Sequence, residues 1–242
     1  MLFRSNPYSL YIAAGAAYFG GGLTFAGALN VTDTTDATST TTGSIKTAGG
    51  VGIAKSLWVG LDANIYDVTV GRGGGSFLSN VAVGYRALLS NVTLGIENVA
   101  VGYDALKSNT TGTKNTVVGF GSMAVNTTGS QNSAFGRQAL QVNTTGLDNT
   151  GLAHNALYSN TTGSYNTAVG MQALSGNTTS TNNTAVGYQA GYANTTGGEG
   201  TFVGRLAGSL VTTGTGNTCI GSLSGQYGGA TGPTTEIGRA HV

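Results

Sequence analysis

Residues 98–112 read NVAVGYDALKSNTTG, and residues 115–129 read NTVVGFGSMAVNTTG. The second stretch begins 17 residues after the first. None of the shared words is chemically reactive, so the repetition itself is what has to be explained.

Repeats with a fixed short period are the signature of stacked architectures. With the first Asn of each unit as an opener, openers fall at Asn80, Asn98, Asn115, Asn132, Asn149, Asn166, Asn183, Gly200 and Asn217. The first interval is 18 residues and the following seven are 17. Four residues after the opener stands Gly84, Gly102, Gly119, Gly136, Ala153, Gly170, Gly187, Gly204 or Gly221. A bulky apolar residue precedes it, as at Val101, Phe135 and Ile220. Seven after the opener comes a small residue such as Ala105, Ser122 or Ala173. The next position holds Leu106, Met123, Leu140, Leu157 and Leu174, then Gly191, Gly208 and Gly225. NTTG or a close variant closes the unit, beginning at Asn109, Asn126, Asn143, Asn160, Asn177 and Asn194; at Val211 only TTG survives.

Seventeen residues are too few for two packed helices and a turn, and helix breakers recur every few positions. NTTG is turn chemistry, with Asn bonding local backbone and Gly suited to positive φ. Each unit therefore predicts two strand-like pieces, TAVGY and QAL, between polar turns. The fold class that follows is all-β: a parallel β-solenoid of nine 17-residue coils, each hydrogen-bonded to the next. Asn residues in register would stack as an amide ladder, with a rise of ~4.8 Å per coil. Ala153 in the glycine column suggests that close packing, rather than a required positive φ, selects most of those glycines. The small Ala and Gly face is expected to line the coil interior. The larger face, with Val and then Tyr, Phe or Met, is expected to meet other subunits, since one slender coil buries few apolar groups. The expected assembly is a homotrimer.

Composition agrees. Gly numbers 42 of 242 residues and charged residues make up only 8%, against the ~25% of ordinary domains. Charges repeated in register would repel. The net charge of +1, with no basic cluster, argues against nucleic-acid binding. Cys219 is the sole cysteine, so neither an intrachain disulfide nor a cysteine metal cluster can form.

Residues 1–5 (MLFRS) and the last seven residues (EIGRAHV) resemble translated sequencing-library adapter, which would make the chain a fragment. Residues 6–70 are expected to form a small N-terminal β-module, 71–76 (GRGGGS) a glycine linker, 77–228 the solenoid and 229–242 an irregular tail. The apolar stretch from Tyr8 to Val31 is broken by Gly20, Gly21 and Gly22, so membrane insertion is not expected.

NTAVG resembles the NSVAIG-type motif of YadA-like trimeric adhesin heads, over roughly Asn80 to Gly225. That resemblance implies a left-handed parallel β-roll with three chains side by side. The longer period here departs from the family's common repeat through its extended NTTG turn. The 17-residue variant resembles phage tail-fibre and related virion structural proteins. So do NPYSLYIAAGAAYFGGGLTF and Ala37–Gly60, ATSTTTGSIKTAGGVGIAKSLWVG.

Chemical alternatives are weaker than structural ones. His154 stands alone in a column that elsewhere holds Tyr85, Tyr103, Phe120 and Tyr188, so no metal site follows. GRGGGS lacks the GK[ST] close of a phosphate loop. The nine acidic residues form no recurring pair and no calcium repeat. NTT triplets match glycosylation sequons, but turn formation accounts for their register. Thr110 and Thr111 raise the thought of an ice-binding ladder, yet adjacent strand residues face opposite ways. No catalytic, cofactor or metal residue is expected, and no position stands out from its column as a recognition site. The expected function is a structural shaft or spacer of a trimeric fibre, foremost a phage tail fibre in the virion, meeting a host receptor or glycan. The alternative is a bacterial surface adhesin head.

Overall fold

The computed structural model describes residues 63–65, 68–74, 79–92, 94–226 and 235–237. All belong to the second of two units, Met1–Leu57 and Trp58–Val242. The stretch from Tyr8 to Val31, and most of the expected N-terminal module, lie outside the described residues.

The described chain is a parallel β-solenoid. A short antiparallel pair leads in, β1 (Ala63–Ile65) with β2 (Val68–Gly71). β2 then pairs antiparallel with β3 (Val81–Val83). Every later strand is parallel to the one before: β4 (Val99–Val101), β5 (Thr116–Val118), β6 (Ser133–Phe135), β7 (Thr150–Leu152), β8 (Thr167–Val169), β9 (Thr184–Val186), β10 (Thr201–Val203), β11 (Thr218–Ile220) and β12 (Thr235–Ile237). Among the described residues there is no helix. From β4 onward each strand residue pairs with its counterpart 17 residues away, as in Ala100↔Val117↔Ala134. The stack runs one strand beyond the boundary at 228 that the repeat suggests. β12 continues the register with Thr218↔Thr235 and Ile220↔Ile237, so TTEIG is a further, degenerate opening motif. Of the expected glycine linker, Gly71 ends β2, and the Gly74 N–H donates to the Leu88 carbonyl at 2.8 Å.

Three-residue strands form because Thr and Val, good strand formers, flank one small residue. The middle residue points inward: Ala100, Ala134, Ala168 and Ala185 are fully buried, while Val101, Val169 and Val203 are half-buried. The small-inside, large-outside reading is therefore what the fold adopts. The second apolar column, Leu106, Met123, Leu140, Leu157 and Leu174, packs against the Ala column in one continuous core.

The expected second strand, QAL, is absent. That segment is a tight turn in which Gln138 (φ 58°) and Leu140 (φ 51°) both take left-handed backbone. Leu is an unusual residue there, at a cost of about 1–2 kcal/mol. What offsets the cost is burial of the side chain together with a backbone bond to the next coil, Leu140 N–H to the Ala156 carbonyl at 3.0 Å. The glycine of NTTG differs the other way. Gly112 has no positive φ; a Cβ there would collide with the Gly129 carbonyl and the Asn109 side chain.

The opening-motif glycines meet both demands at once, which corrects the inference drawn from Ala153. Gly102 has φ 135°, and a Cβ on it would lie 2.5 Å from the Gly119 carbonyl oxygen. Ala153 is forced into the same region, at φ 122°. It is tolerated as a single strained residue rather than as a sign that φ is free.

Phe202 explains a second irregularity. Its ring occupies the inner strand position that elsewhere holds Ala, and three glycines surround it. A Cβ at Gly191 would lie 2.8 Å from the ring and one at Gly200 2.5 Å from it, while one at Gly208 would overlap it. The loss of Leu from two coils, and of Asn from one opener, is volume traded for a single phenyl ring. Cys219 and Gly225 repeat the exchange on a smaller scale, since a Cβ on Gly225 would sit 2.5 Å from the Cys219 Sγ.

Two outcomes test this packing. Ala153→Gly should stabilise the chain by about 1 kcal/mol, whereas Gly170→Ala should cost about 2–4 kcal/mol through backbone strain and overpacking. Equal melting temperatures for the two would refute the backbone account. Phe202→Ala should cost about 3–5 kcal/mol. Adding Gly191→Leu, Gly200→Asn and Gly208→Leu to it should recover most of that loss in denaturant melts, and no recovery would mean that the glycines answer to something other than the ring.

Candidate functional site

The residues that recur most strictly are asparagines, and the structure buries them. Both Asn columns, the openers and the NTTG residues, are fully or almost fully shielded from solvent. A buried carboxamide must satisfy two donors and an acceptor. Stacking in register does this. Asn126 Nδ2 donates to Asn109 Oδ1 at 2.8 Å, Asn143 to Asn126 at 2.9 Å and Asn160 to Asn143 at 2.8 Å. In the opener column the backbone joins in. Asn132 donates to Asn115 Oδ1 from its N–H at 3.0 Å and from its Nδ2 at 3.1 Å, and Asn149 repeats the pattern on Asn132.

In the six coils that open at Asn80 to Asn166 the two ladders meet on one carbonyl. Gly129 O accepts from Asn115 Nδ2 and Asn126 Nδ2, both at 2.9 Å. Gly146 O accepts from Asn132 at 2.9 Å and Asn143 at 3.1 Å. Gly163 O accepts from Asn149 at 2.8 Å and Asn160 at 2.9 Å. Each of these coils is thus cross-braced inside and bonded to its neighbours outside. The ladder of turn residues stops at Val211, which has no amide to offer. Asn194 Oδ1 is accordingly buried without a partner.

The first threonine of each NTT adds a third ladder. Thr110 Oγ1 donates to the Thr127 carbonyl at 3.0 Å, and the pattern runs on to Thr195 and Thr212. The second threonine, as at Thr128, Thr145 and Thr162, is exposed. The paired threonines therefore do not share a surface. The sequon reading fares no better, because the Nδ2 that would carry a glycan is buried and already hydrogen-bonded.

The outer columns are where another molecule can be met. Tyr85, Tyr103 and Phe120 are exposed and stack in successive coils, with ring centroids 5.1 and 5.2 Å apart. Arg86 lies 5.8 Å from the Tyr85 ring and Arg137 5.8 Å from the Phe120 ring, so a guanidinium flanks each end. His154 continues the column, its Nε2 3.1 Å from Arg137 Nη1. Among the described residues no group of three or more His, Cys, Asp or Glu could hold a metal ion. Cys219 is fully buried in the core. No helix of the described residues is long and apolar enough to cross a membrane.

Nine residues after the openers the residue varies from coil to coil, and three coils in a row place Tyr158, Ser175 and Tyr192 there. Between the two tyrosines the surface opens into a groove of about 460 Å³ over Ser175 and Gly176. Reading residue types alone missed it, since nothing in Ser175 is unusual. The signal is the large–small–large alternation, which has meaning only once the coils are aligned. Comparison with family models, with curated proteins and with solved structures returns no match.

The ladder makes a graded expectation. Asn143→Ala removes two donated bonds and orphans a neighbour on each side, for a loss of about 2–4 kcal/mol. Asn194→Ala breaks the ladder where its acceptor already has no partner, and should cost about half as much. Chemical denaturation of both variants measures the difference; equal losses would show that the amides do not act as a continuous ladder.

Proposed function

We propose that the chain is a shaft or spacer segment of a trimeric fibre, with a phage tail fibre used in host attachment as the leading context. The observation that carries this reading is the register. Coils of one length, joined to their neighbours by the same bonds, make a rod whose length is set by the number of units. Such a rod needs no reactive group, and its repeated residues are spent on amide ladders and a core.

The trimer rests on the strand face. Its outward columns hold Thr116, Ser133, Thr150, Thr167, Thr184, Thr201 and Thr218, beside Val118, Phe135, Leu152, Val169, Val186, Val203 and Ile220. Phe135, Leu152, Val186 and Ile220 remain exposed in the single chain. That face carries no charge from β3 to β11. A long uncharged stripe of this kind on a monomer is a surface that association would cover. Identical chains side by side would bring the stripe against itself without electrostatic penalty.

Sedimentation equilibrium should give three times the chain mass at micromolar concentration; a folded monomer would refute the trimer. Removing the unit Asn115–Gln131 joins Lys114 to Asn132 and keeps every column aligned. The product should fold, assemble and be shorter by roughly 5 Å, and the fibre that carries it should still attach. Removing only Asn115–Ser122 breaks the register and should abolish cooperative melting. A folded unit deletion that no longer supports attachment would overturn the spacer role.

A further inference from the structure

We infer that the groove between Tyr158 and Tyr192 is a carbohydrate subsite, taking one neutral pyranose ring between the two tyrosines. The spacing comes from the stack itself. Aromatic rings in successive coils sit 5.1–5.2 Å apart, as Tyr85, Tyr103 and Phe120 do, and leave no room between them. Tyr158 and Tyr192 are two coils apart, with Ser175 in the coil between, so their spacing is roughly 10 Å. A flat ring sandwiched at carbon–carbon contact on both faces needs only about 7 Å. The extra width suits a puckered ring that presents C–H groups to each tyrosine face.

The polar groups match the same ligand. Gln172 lines the groove, and its Oε1 already accepts from Gln189 Nε2 at 2.9 Å. That bond engages the Gln172 oxygen, so the amide nitrogen is the group left to donate to a ligand oxygen. Asn155, Ser159 and Ser175 add further polar groups to the lining. The lining contains no Asp, Glu, Lys or Arg, which disfavours phosphate and other charged ligands and favours a polyhydroxylated neutral one. The volume of about 460 Å³ falls within the ~300–1,000 Å³ of small-ligand sites, and aromatic walls with a few oriented polar groups are their usual construction. The groove is built from turn columns, apart from the strand face assigned above to the trimer. This inference deepens the attachment reading and rests on it for the choice of probe.

The test is binding of the whole chain to an immobilised panel of oligosaccharides ending in neutral hexoses, deoxyhexoses and N-acetylhexosamines. At least one member should bind. Ser175→Tyr places a third ring in the slot, at a column position that already accepts tyrosine on both sides, and should lower binding at least tenfold with unchanged melting. Tyr192→Ser removes one wall without adding bulk and should do the same, so the inference stays testable if the first variant misfolds. Tyr165→Ser, on an exposed residue outside the groove, should leave binding unaltered. Deleting Asn166–Asn182 brings Tyr158 and Tyr192 into neighbouring coils and should close the slot in a folded chain. No binding to any panel member, or binding undiminished in both Ser175→Tyr and Tyr192→Ser, would overturn the subsite. The Asn115–Gln131 deletion leaves the slot intact. If it retains sugar binding but loses attachment, the spacer reading fails and the subsite stands.

Discussion

Everything in this fold follows from one constraint: each residue lies against its own counterpart in the next coil. A side chain that repeats must therefore be able to bond to itself. A carboxamide can, because it carries donors and an acceptor together; a carboxylate or an ammonium cannot, and would repel its copy. The two Asn ladders, the Thr hydroxyl ladder and the low charge content are consequences of the same rule. Among the described residues the ion pair that bridges two coils joins opposite signs, Arg86 with Asp104 at 3.3 Å. Such exposed pairs contribute little by themselves.

The core obeys a looser rule, because apolar contacts need volume and not complementarity. Ala with Leu fills most coils; Phe202 with three glycines fills others. The exchange crosses a coil boundary, since Gly191 belongs to the coil that opens at Asn183 and Gly200, Phe202 and Gly208 to the next. A column-by-column view sees three separate losses of consensus at Gly191, Gly200 and Gly208. In space they are one packing event around one ring. The ladders, by contrast, admit few exceptions, and the one at Val211 leaves a polar atom stranded.

Much of this was legible in the residues. Period, parallel stacking, the amide ladder and the inward-facing Ala column all follow from the spacing of Asn, Ala and Gly. What was not legible concerns backbone conformation. Leu and Gln give no hint of left-handed φ, because the bonds that hold Leu140 and Gln138 there come from adjacent coils and not from local preference. Gly112 looks like a positive-φ residue, yet it is selected by the approach of the Gly129 carbonyl. The strand at Thr235–Ile237 was hidden because TTEIG lacks the opening Asn, and only pairing with β11 reveals it. The Tyr158–Ser175–Tyr192 groove was hidden for a similar reason: it is a property of three aligned coils and of no single motif.

The ladders also have a direction. Through the middle of both Asn columns the carboxamide nitrogen donates to the coil before it and the carboxamide oxygen accepts from the coil after it, as Asn143 does between Asn126 and Asn160. The Thr hydroxyls point the opposite way. The two faces of a coil are therefore chemically unlike, and a finished coil displays waiting amide oxygens on its C-terminal side. A stack built this way is polar along its length: a coil added at the C-terminal side must offer carboxamide donors, and one added at the N-terminal side must offer a carboxamide acceptor.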